Sequence, residues 1–361
     1  MTEKRYKVLD LFCGCGGLSE GFKLSGYDII GGIDLNKPAV DTFGLNFENA
    51  NAICANLLEI ESKDILNEYS AFLNADIIIG GPPCQGFSNA NRYSMEEDDE
   101  RNKLFYEFLK FVDVIKPKVI VIENVRGIIT SNNGYAKKRI YELFEERGYI
   151  VNHEILDASE FGVPQKRIRN FFVITEEKKF DFTRLKKKKS YTVYDAISEL
   201  YNLEKESNKE EGVYLLESTP ENDYAQYLRR EDNYVYNHTI KYPADFVQHR
   251  ISFVPQGGNW RDVPPELWPS QRNNRHSSAY RRLKEDDLSV TIDTGNTHSN
   301  YFHPIYNRIP TVREAARLQS FSDNFIFTGS RTDQYIQVGN AVPPKLAYAI
   351  ANAIKEEILD E

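Results

Sequence analysis

The sequence predicts an α/β fold whose first half contains a doubly wound, mainly parallel β-sheet. Short runs rich in Ile and Val recur along this half, at residues 7–12, 27–34, 51–56, 76–81, 118–124, 149–156 and 170–175. Helix-length segments separate most of these runs, as in successive βαβ units. The runs are largely apolar, which is typical of strands that are buried on both faces.

A second, smaller domain is predicted after the sheet. From about residue 186 to about residue 310 the regular pattern gives way to sequence rich in Tyr, Asn, Glu and Pro. Thr311 and Glu314 then have the spacing of a capping box that opens a helix, and residues 343–359 form a closing amphipathic helix. We therefore expect the first domain to comprise residues 1–190 and 331–361, and the second to comprise residues 191–330.

Composition excludes several classes of protein. Of the 361 residues 41% are hydrophobic and 27% are charged, so the chain can bury a sizeable core. No run approaches the ~20 apolar residues of a membrane span, and the N-terminus lacks a signal-peptide pattern, which predicts a cytoplasmic protein. Four cysteines and six scattered histidines offer neither a disulfide scaffold nor a zinc-ligand spacing, so we expect no metal.

A glycine-rich turn follows the first strand. Gly14, Gly16 and Gly17 stand where absent side chains let a ligand approach helix N-terminal amides. Asp34 ends the next strand and is placed to accept hydrogen bonds from ribose hydroxyls. The spacing is not G-x-G-x-x-G, which disfavours a pyrophosphate site and favours one nucleoside with a short charged tail, as in S-adenosylmethionine. The alternative is a tight turn that binds nothing.

Cys84 ends the segment Gly-Gly-Pro-Pro-Cys, directly after the fourth strand and at the sheet edge where open α/β folds bind ligands. Cys54 stands within a strand instead, where we expect it to replace an apolar residue. Cys84 is therefore the candidate nucleophile, with a structural cysteine as the alternative. A zinc deaminase site is excluded because no second cysteine follows Cys84.

Charged residues follow two later strands. Glu123 ends the fifth strand, so it can face Cys84 across the same edge, and a buried acid can hold a proton near neutral pH. Arg167 and Arg169 share one face of an extended segment and offer fixed donors to a carbonyl or a phosphate. Structural ion pairs are the alternative for all three residues.

Together these segments resemble the DNA (cytosine-5) methyltransferases. The resemblance follows family order through DLFCGCGGLSEGF, Asp34, GGPPCQGFS, ENV, QKRIR, REAARLQSF and QVGNAVP, and leaves mainly residues 180–310 unmatched. It implies a Rossmann-like, S-adenosylmethionine-dependent catalytic domain and a DNA-binding target-recognition domain. It also implies that Cys84 is the nucleophile, that Glu123 holds the cytosine ring, and that Arg167 and Arg169 line the pocket.

The resemblance implies S-adenosylmethionine as the cofactor and S-adenosylhomocysteine as the product. The implied cofactor-binding residues are Phe12, Gly14, Gly16, Gly17, Leu18, Asp34, Leu35, Asn56, Pro82, Asn340 and Ala341. Three departures from the family occur: Cys13 and Cys15 replace Ala and an apolar residue, Asp34 replaces Glu, and Asn56 replaces an adenine-binding Asp. The Asn56 carbonyl can still accept a hydrogen bond.

The expected chemistry explains why a thiolate and an acid are needed. Carbon 5 of cytosine is a weak nucleophile, so the Cys84 thiolate must first add to carbon 6, and Glu123 must absorb the charge pushed into the ring. Neither face of a stacked base is accessible to the thiolate or to the methyl donor, so the base must be flipped out of the duplex. Residues 87–101 are a candidate lid over the flipped base, with Ser88, Asn89, Asn91 and Arg92 as DNA contacts and a plain loop as the alternative.

Residues 241–284 contain eight basic and three acidic side chains, although the whole chain carries a net charge of −9. This local excess predicts the DNA-reading surface, with a solvated basic loop as the alternative. The candidate readers are Arg261, Arg275, His276, Arg281, Thr291 and the segment 293–301, since Arg engages guanine through two hydrogen bonds.

Two other functions would use part of this set of residues. An RNA cytosine-5 methyltransferase would share the catalytic domain, but the Cys-Phe-Thr of the tRNA-directed relatives is absent. A non-catalytic cofactor-binding partner would not need Cys84 and Glu123. We therefore expect a monomeric enzyme that methylates a specific duplex DNA sequence, in a restriction-modification system with a cognate endonuclease.

Overall fold

A computed structural model describes residues 5–83, 100–127, 134–206, 212–268, 280–294 and 301–360. The chain divides into two compact units. The first unit comprises residues 1–161, 168–188 and 341–361, and the second unit comprises residues 162–167 and 189–340. The chain therefore leaves the first unit twice, briefly at residues 162–167 and again at residues 189–340, and ends in the first unit.

The first unit is built around a seven-stranded sheet with the order β3-β2-β1-β4-β5-β7-β6. Its strands are β1 (Lys7–Leu11), β2 (Asp28–Asp34), β3 (Asn51–Cys54), β4 (Ile77–Gly80), β5 (Val119–Val125), β6 (Ile150–Asp157) and β7 (Ile168–Thr175). Strands β1 to β5 pair in parallel, whereas β7 runs antiparallel to β5 and β6. The predicted doubly wound, mainly parallel sheet is confirmed. The reversal of β7 is new, because a buried apolar run does not reveal strand direction.

Helices are numbered in chain order through both units. Those of the first unit are α1 (Gly17–Leu24), α2 (Lys37–Asn46), α3 (Ser62–Asn67), α4 (Glu100–Ile115), α5 (Tyr135–Glu145) and α11 (Pro344–Ile354), the last followed by a π-helical turn. Helices α4 and α5 join one face of the sheet in an apolar cluster that includes Ile122 and Phe172. Helix α11 packs against α1 at Gly21, where a Cβ would lie 2.3 Å from the Ala347 Cβ, so only glycine permits this approach.

The predicted site residues of the first unit gather at the carboxyl ends of the parallel strands. Strand β1 pairs with β2 on one side and with β4 on the other, which makes this edge a topological switch point. The edge carries the glycine-rich turn after β1, Asp34 at the end of β2, residues 81–83 after β4, and Glu123 near the end of β5.

The second unit contains short elements and little regular sheet. Its elements are α6 (Val193–Ile197), α7 (Asp223–Leu228), α8 (Asp245–Ser252), α9 (Val312–Leu318), α10 (Arg331–Asn340), and the strand pairs β8 (Tyr214–Leu215) with β9 (Tyr234–Val235) and β10 (Arg281–Arg282) with β11 (Tyr301–Phe302). Its interior holds Arg308, Arg313 and Arg317, each fully buried. These guanidiniums bind acids and backbone carbonyls, so polar contacts hold together a unit that has few regular layers.

Three expectations from the sequence can be compared with this description. Residues 331–340 were assigned to the first domain, but they form α10, which packs against α9 within the second unit. The expectation that Cys54 replaces an apolar core residue is wrong. Its side chain is exposed because it ends β3, an edge strand. Among the described residues, no helix has the length and apolar character that crossing a membrane requires.

Candidate active site

The turn after β1 has backbone conformations that favour glycine. Phe12, Gly14 and Gly16 have φ values of 63°, 52° and 97°. The Phe12 amide donates to the Ile33 carbonyl at 2.8 Å, and the Gly14 amide donates to Asp34 Oδ2 at 2.9 Å. These hydrogen bonds connect the ends of β1 and β2 through the turn, and one of them is accepted by Asp34, the acid predicted to bind ribose.

Gly14 and Gly16 differ in what surrounds them. A Cβ at Gly14 would meet no atom within 4 Å, so the turn leaves open space there. A Cβ at Gly16 would lie 2.4 Å from the Phe47 ring, so packing requires glycine at that position. The first turn of α1 follows, and its residues Gly17 and Leu18 are buried.

Asp34, Leu35 and Asn56, all predicted to bind the cofactor, lie at or just after the ends of β2 and β3. Asp34 Oδ1 accepts a hydrogen bond from the Asn36 amide at 2.8 Å. Leu35 is 68% exposed, which leaves an apolar side chain available beside that carboxylate in the chain. Asn56 Oδ1 accepts from the Leu58 amide at 3.1 Å, so this oxygen already has one donor and keeps one lone pair.

Asp10 is a buried carboxyl of β1 that sequence reasoning missed. The Ser19 hydroxyl of α1 donates to Asp10 Oδ2 at 2.6 Å. Burial raises the pKa of Asp10 to about 8, although the hydrogen bonds from Ser19 oppose that rise. Asp10 thus ties the end of β1 to the first turn of α1. An acid inside an otherwise apolar strand was the available signal.

The cysteines near this turn are poor nucleophiles. Burial raises the pKa of the Cys15 thiol to about 12 and holds that of Cys13 well above its usual value. Both are therefore protonated at neutral pH, and only the thiolate is reactive. Cys54 is exposed, but it lies four strand spacings from β5, which is about 19 Å.

Two residues at the end of β5 contact the segment that leads to Cys84. The Asn124 side chain donates to the carbonyl of the buried Pro82 at 2.9 Å. A Cβ at Gly81 would lie 3.4 Å from Glu123 Oε2, so the carboxylate lies beside this glycine. Strand β5 therefore fixes residues 81 and 82, and its acid lies against the same short segment.

Glu123 forms an ion pair with Arg169. Arg169 Nε lies 3.0 Å from Glu123 Oε1, and the two side chains are 16% and 14% exposed. The antiparallel register places Val125 opposite Arg169 and Phe171 opposite Glu123, so the two charged side chains are diagonal neighbours on one face of the sheet. The ion pair named above as the alternative is present.

Several candidates lie outside the described residues. These are the nucleophile candidate Cys84 and the candidate DNA contacts Ser88, Asn89, Asn91, Arg92, Arg275 and His276.

Arg167 differs from Arg169 in what it contacts. Its side chain is 1% exposed, with Nη1 donating to the Ile292 carbonyl and Nη2 to the Gly339 carbonyl, both at 2.8 Å. That both arginines line a pocket stays a prediction. The two hydrogen bonds of the Arg167 guanidinium join two segments inside the second unit.

Nearby contacts serve the same junction of the second unit. Thr291 Oγ1 donates to the Lys166 carbonyl at 2.7 Å. A Cβ at Gly339 would lie 2.6 Å from the carbonyl carbon of Asp293, so the QVGN segment needs glycine for close packing. Asn340 is exposed at the end of α10. The other cofactor candidate of this motif, Ala341, is buried in the first unit.

The second unit exposes basic residues beside aromatic rings. Arg261 and Arg281 are both exposed, and the Arg261 guanidinium lies 4.9 Å from the Trp260 ring centroid. Sequence reasoning missed a second such group, centred on Arg250 of α8. There the Arg250 guanidinium lies 4.9 Å from the Phe246 ring centroid and 5.4 Å from that of Trp268, with Phe246 62% exposed. Spacing of four residues along a helix was the available signal.

No group of three or more metal-ligating side chains occurs in the part of the chain that the structure describes.

Comparison with known proteins identifies the family. A family model for C-5 cytosine-specific DNA methylases matches residues 6–356. The chain belongs to this family. The match spans both units, and the activity of this DNA methylase is accordingly methylation of DNA at cytosine carbon 5.

Relatives of this DNA methylase agree with the assignment. Type II methyltransferase M.DdeI of Desulfomicrobium norvegicum is 34% identical, over 96% of this chain and 88% of the relative. Type II methyltransferase M1.HphI of Haemophilus parahaemolyticus is 35% identical, over 96% and 86%. A solved structure of a putative DNA modification methyltransferase encoded within an E. coli prophage has a TM-score of 0.79 at 24% identity, over 99% and 100%, and supports the fold alone.

Proposed function

We propose that this DNA methylase modifies one cytosine within a specific duplex sequence, through a covalent Cys84 adduct on a flipped base, with S-adenosylmethionine as methyl donor. The observation that carries the proposal is the contact of Glu123 and Asn124 with residues 81 and 82, just before Cys84. The acid and the segment that leads to the candidate nucleophile thus lie at one end of two adjacent strands.

The first unit fits the cofactor. Open space at Gly14, the Asp34 carboxylate and the exposed Leu35 offer room, a ribose acceptor and an apolar surface. The other proposed contacts are Phe12, Gly16, Gly17, Leu18, Asn56, Pro82, Asn340 and Ala341. When bound, S-adenosylmethionine supplies an electrophilic methyl group, and the role of the turn is to orient it.

Asp34→Asn is expected to weaken binding of S-adenosylmethionine and S-adenosylhomocysteine by ~10- to 100-fold, because a charge-assisted hydrogen bond to a ribose hydroxyl contributes about 1.5–3 kcal/mol. Isothermal titration calorimetry measures both affinities. Asp28→Asn, at the other end of β2 and paired with Arg5, is the control and should leave both affinities unchanged. Equal losses in the two variants would contradict the assignment.

The proposed reaction begins when the Cys84 thiolate adds to cytosine carbon 6. Glu123 accepts a hydrogen bond from the amino group and shares a proton with nitrogen 3, so it stabilises the charge that enters the ring. Arg169, which pairs with Glu123 in this structure, is proposed to donate to the ring carbonyl as well. Carbon 5 then takes the methyl group, loses its proton to a base such as water, and the thiolate leaves.

Glu123→Gln is expected to lower kcat for DNA methylation by at least ~10²-fold, because the amide cannot share a proton with nitrogen 3. Single-turnover transfer of tritiated methyl groups measures this step. Glu154→Gln is the matched control, since Glu154 lies on β6 and is cross-strand to the same Phe171, but is exposed. Activity close to that of the wild type in Glu123→Gln would show that Glu123 takes no part in the reaction.

The second unit is proposed to read DNA. Exposed Arg261 and Arg281, with Arg250 beside Phe246 on α8, provide cationic groups for phosphates and guanine edges. Outside the described residues, Arg275 and His276 are proposed as readers and Ser88, Asn89, Asn91 and Arg92 as contacts near the flipped base. Thr291 is proposed to support this surface through Lys166.

Transfer of tritiated methyl groups to duplex DNA, with tRNA run in parallel, tests the substrate. Transfer to DNA and not to tRNA is expected, and transfer to tRNA alone would overturn the proposal. Bisulfite sequencing of a methylated plasmid then gives the recognition sequence. The relatives named type II methyltransferases motivate the further proposal of a cognate restriction endonuclease acting on the same sequence in the cytoplasm, with this enzyme as a monomer.

A further inference from the structure

Asn170 of β7 has a buried side chain without a hydrogen-bond partner. It is fully buried, and neither its Nδ2 nor its Oδ1 has a partner. Its cross-strand neighbours are Asn124 on β5 and Ile155 on β6. Phe172, two residues further along β7, lies on the same face of the sheet as Asn170. Phe172 belongs to the apolar cluster under α4 and α5.

An amide in this position destabilises the fold. A buried polar group left unsatisfied has lost its hydrogen bonds to water without gaining others, and native proteins contain few such groups. Leucine has nearly the same branched shape and would fit an apolar cluster without that cost. The presence of asparagine at position 170 therefore requires a reason other than packing.

The reason lies in its neighbour across the sheet. Residues directly opposite in an antiparallel pair have Cβ atoms about 4.5–5.5 Å apart on one face, so the Asn124 and Asn170 amides are within reach of each other by side-chain rotation. Asn124 Nδ2 donates to the Pro82 carbonyl, and Asn124 Oδ1 accepts from the Val125 amide. That oxygen has a second lone pair.

The geometry points to Asn170 as a positioning residue. In the enzyme engaged with DNA, Asn170 Nδ2 donates to Asn124 Oδ1, directly or through one buried water. This fixes the Asn124 amide on the Pro82 carbonyl, two residues before Cys84, while Cys84 attacks the base. The inference rests on the proposed function, because it assigns Asn170 a part in placing that nucleophile.

Asn170→Leu tests the inference, with Asn152→Leu as the matched control. Asn152 lies on the neighbouring β6, is also buried, and its Nδ2 also lacks a hydrogen-bond partner, but its cross-strand neighbour is Val173, on the other face of the sheet from Asn170. Both variants are expected to keep or raise the thermal midpoint. Asn170→Leu alone is expected to lower kcat by ~10-fold, with KM for DNA and for S-adenosylmethionine unchanged.

A double-mutant cycle distinguishes positioning from a general effect on the sheet. If Asn170 acts through Asn124, the kcat losses of Asn124→Ala and Asn170→Leu are not additive, as expected of groups that share one contact. Should Asn170→Leu not fold, Asn170→Ala replaces it in the cycle, because alanine also removes the donor. Unchanged kcat in Asn170→Leu, an equal loss in Asn152→Leu, or additive losses would overturn the inference. Absence of DNA methylation in the wild type would instead overturn the proposed function.

Discussion

Replacement of Cys84 by alanine is expected to abolish DNA methylation and to leave S-adenosylmethionine binding intact. Without a thiolate, carbon 5 of cytosine stays too weak a nucleophile to attack a methyl sulfonium, so the loss should be on the order of 10⁴-fold or more. Tritium transfer under single-turnover conditions measures the rate, and calorimetry measures cofactor binding. Loss of both would indicate misfolding, and Cys84→Ser would then replace alanine as the smaller change.

Covalent capture tests the same residue without relying on lost activity. An oligonucleotide carrying 5-fluorocytosine at the recognition site should form a stable conjugate, because fluorine at carbon 5 cannot leave as a proton does. Mass spectrometry should place the conjugate on Cys84. Cys54→Ala should still be captured, since Cys54 lies on the edge strand β3, far from β5. A conjugate on another cysteine, or none on the correct sequence, would contradict the mechanism.

The features predicted well from the sequence are those set by local pattern. Apolar runs ending in Gly14, Asp34 or Glu123 predict which residues reach the carboxyl edge, since parallel strands present those ends together. The requirement for glycine at position 16 also follows locally, from a turn with φ near 97°. The fold and the family, both confirmed, depend on these local signals.

The partners of the basic residues could not be predicted from the sequence. Arg282 was counted in the local positive charge that predicted a DNA surface, yet it is 5% exposed and donates to the Ile251, Val254 and His303 carbonyls. Burial lowers the pKa of this arginine. Whether a guanidinium faces solvent or holds backbone depends on segments distant in sequence, which a charge count does not include.

Neutralising Glu314 is expected to destabilise the second unit by about 1.5–3 kcal/mol, because Arg308 loses one of its two acidic partners and keeps only Glu204, 2.7 Å away. Glu314 is fully buried, and its carboxylate accepts two hydrogen bonds from the Arg308 guanidinium, at 2.8 and 2.9 Å. It also accepts from the Thr311 amide at 2.7 Å, which caps α9. Glu314→Gln keeps the shape and removes the charge. Both tryptophans, Trp260 and Trp268, belong to the second unit, so urea unfolding followed by tryptophan fluorescence reports on this unit alone.

A control separates burial from charge pairing in general. Asp232 pairs with Arg230 at 3.0 Å in the same unit, but its side chain is 44% exposed. Exposed pairs contribute little to stability. Asp232→Asn should therefore leave the unfolding midpoint nearly unchanged, and equal shifts in the two variants would contradict the role of the buried network.

The same network predicts loss of stability on acidification. Burial lowers the pKa of His238 to about 4 and that of His303 to about 3, and His303 Nδ1 already accepts from the Ile305 and Tyr306 amides. Below pH ~6.5 the histidines of the unfolded chain become protonated, whereas these two histidines of the native chain stay neutral. This difference lowers the free energy of unfolding by roughly 3 kcal/mol for His238 alone by pH 4.

Glu314 extends this loss to lower pH. Burial alone would raise its pKa, but Arg308 lowers it well below the usual range. The stabilisation that the ionised Glu314 provides is therefore complete above about pH 4.5, the usual pKa of a glutamate, and is lost as the pH falls below that value. We therefore expect the urea midpoint of the second unit to fall steadily from pH 6.5 to pH 4, and less steeply in His238→Gln. A midpoint independent of pH across this window would show that the two histidines are not held neutral by the fold.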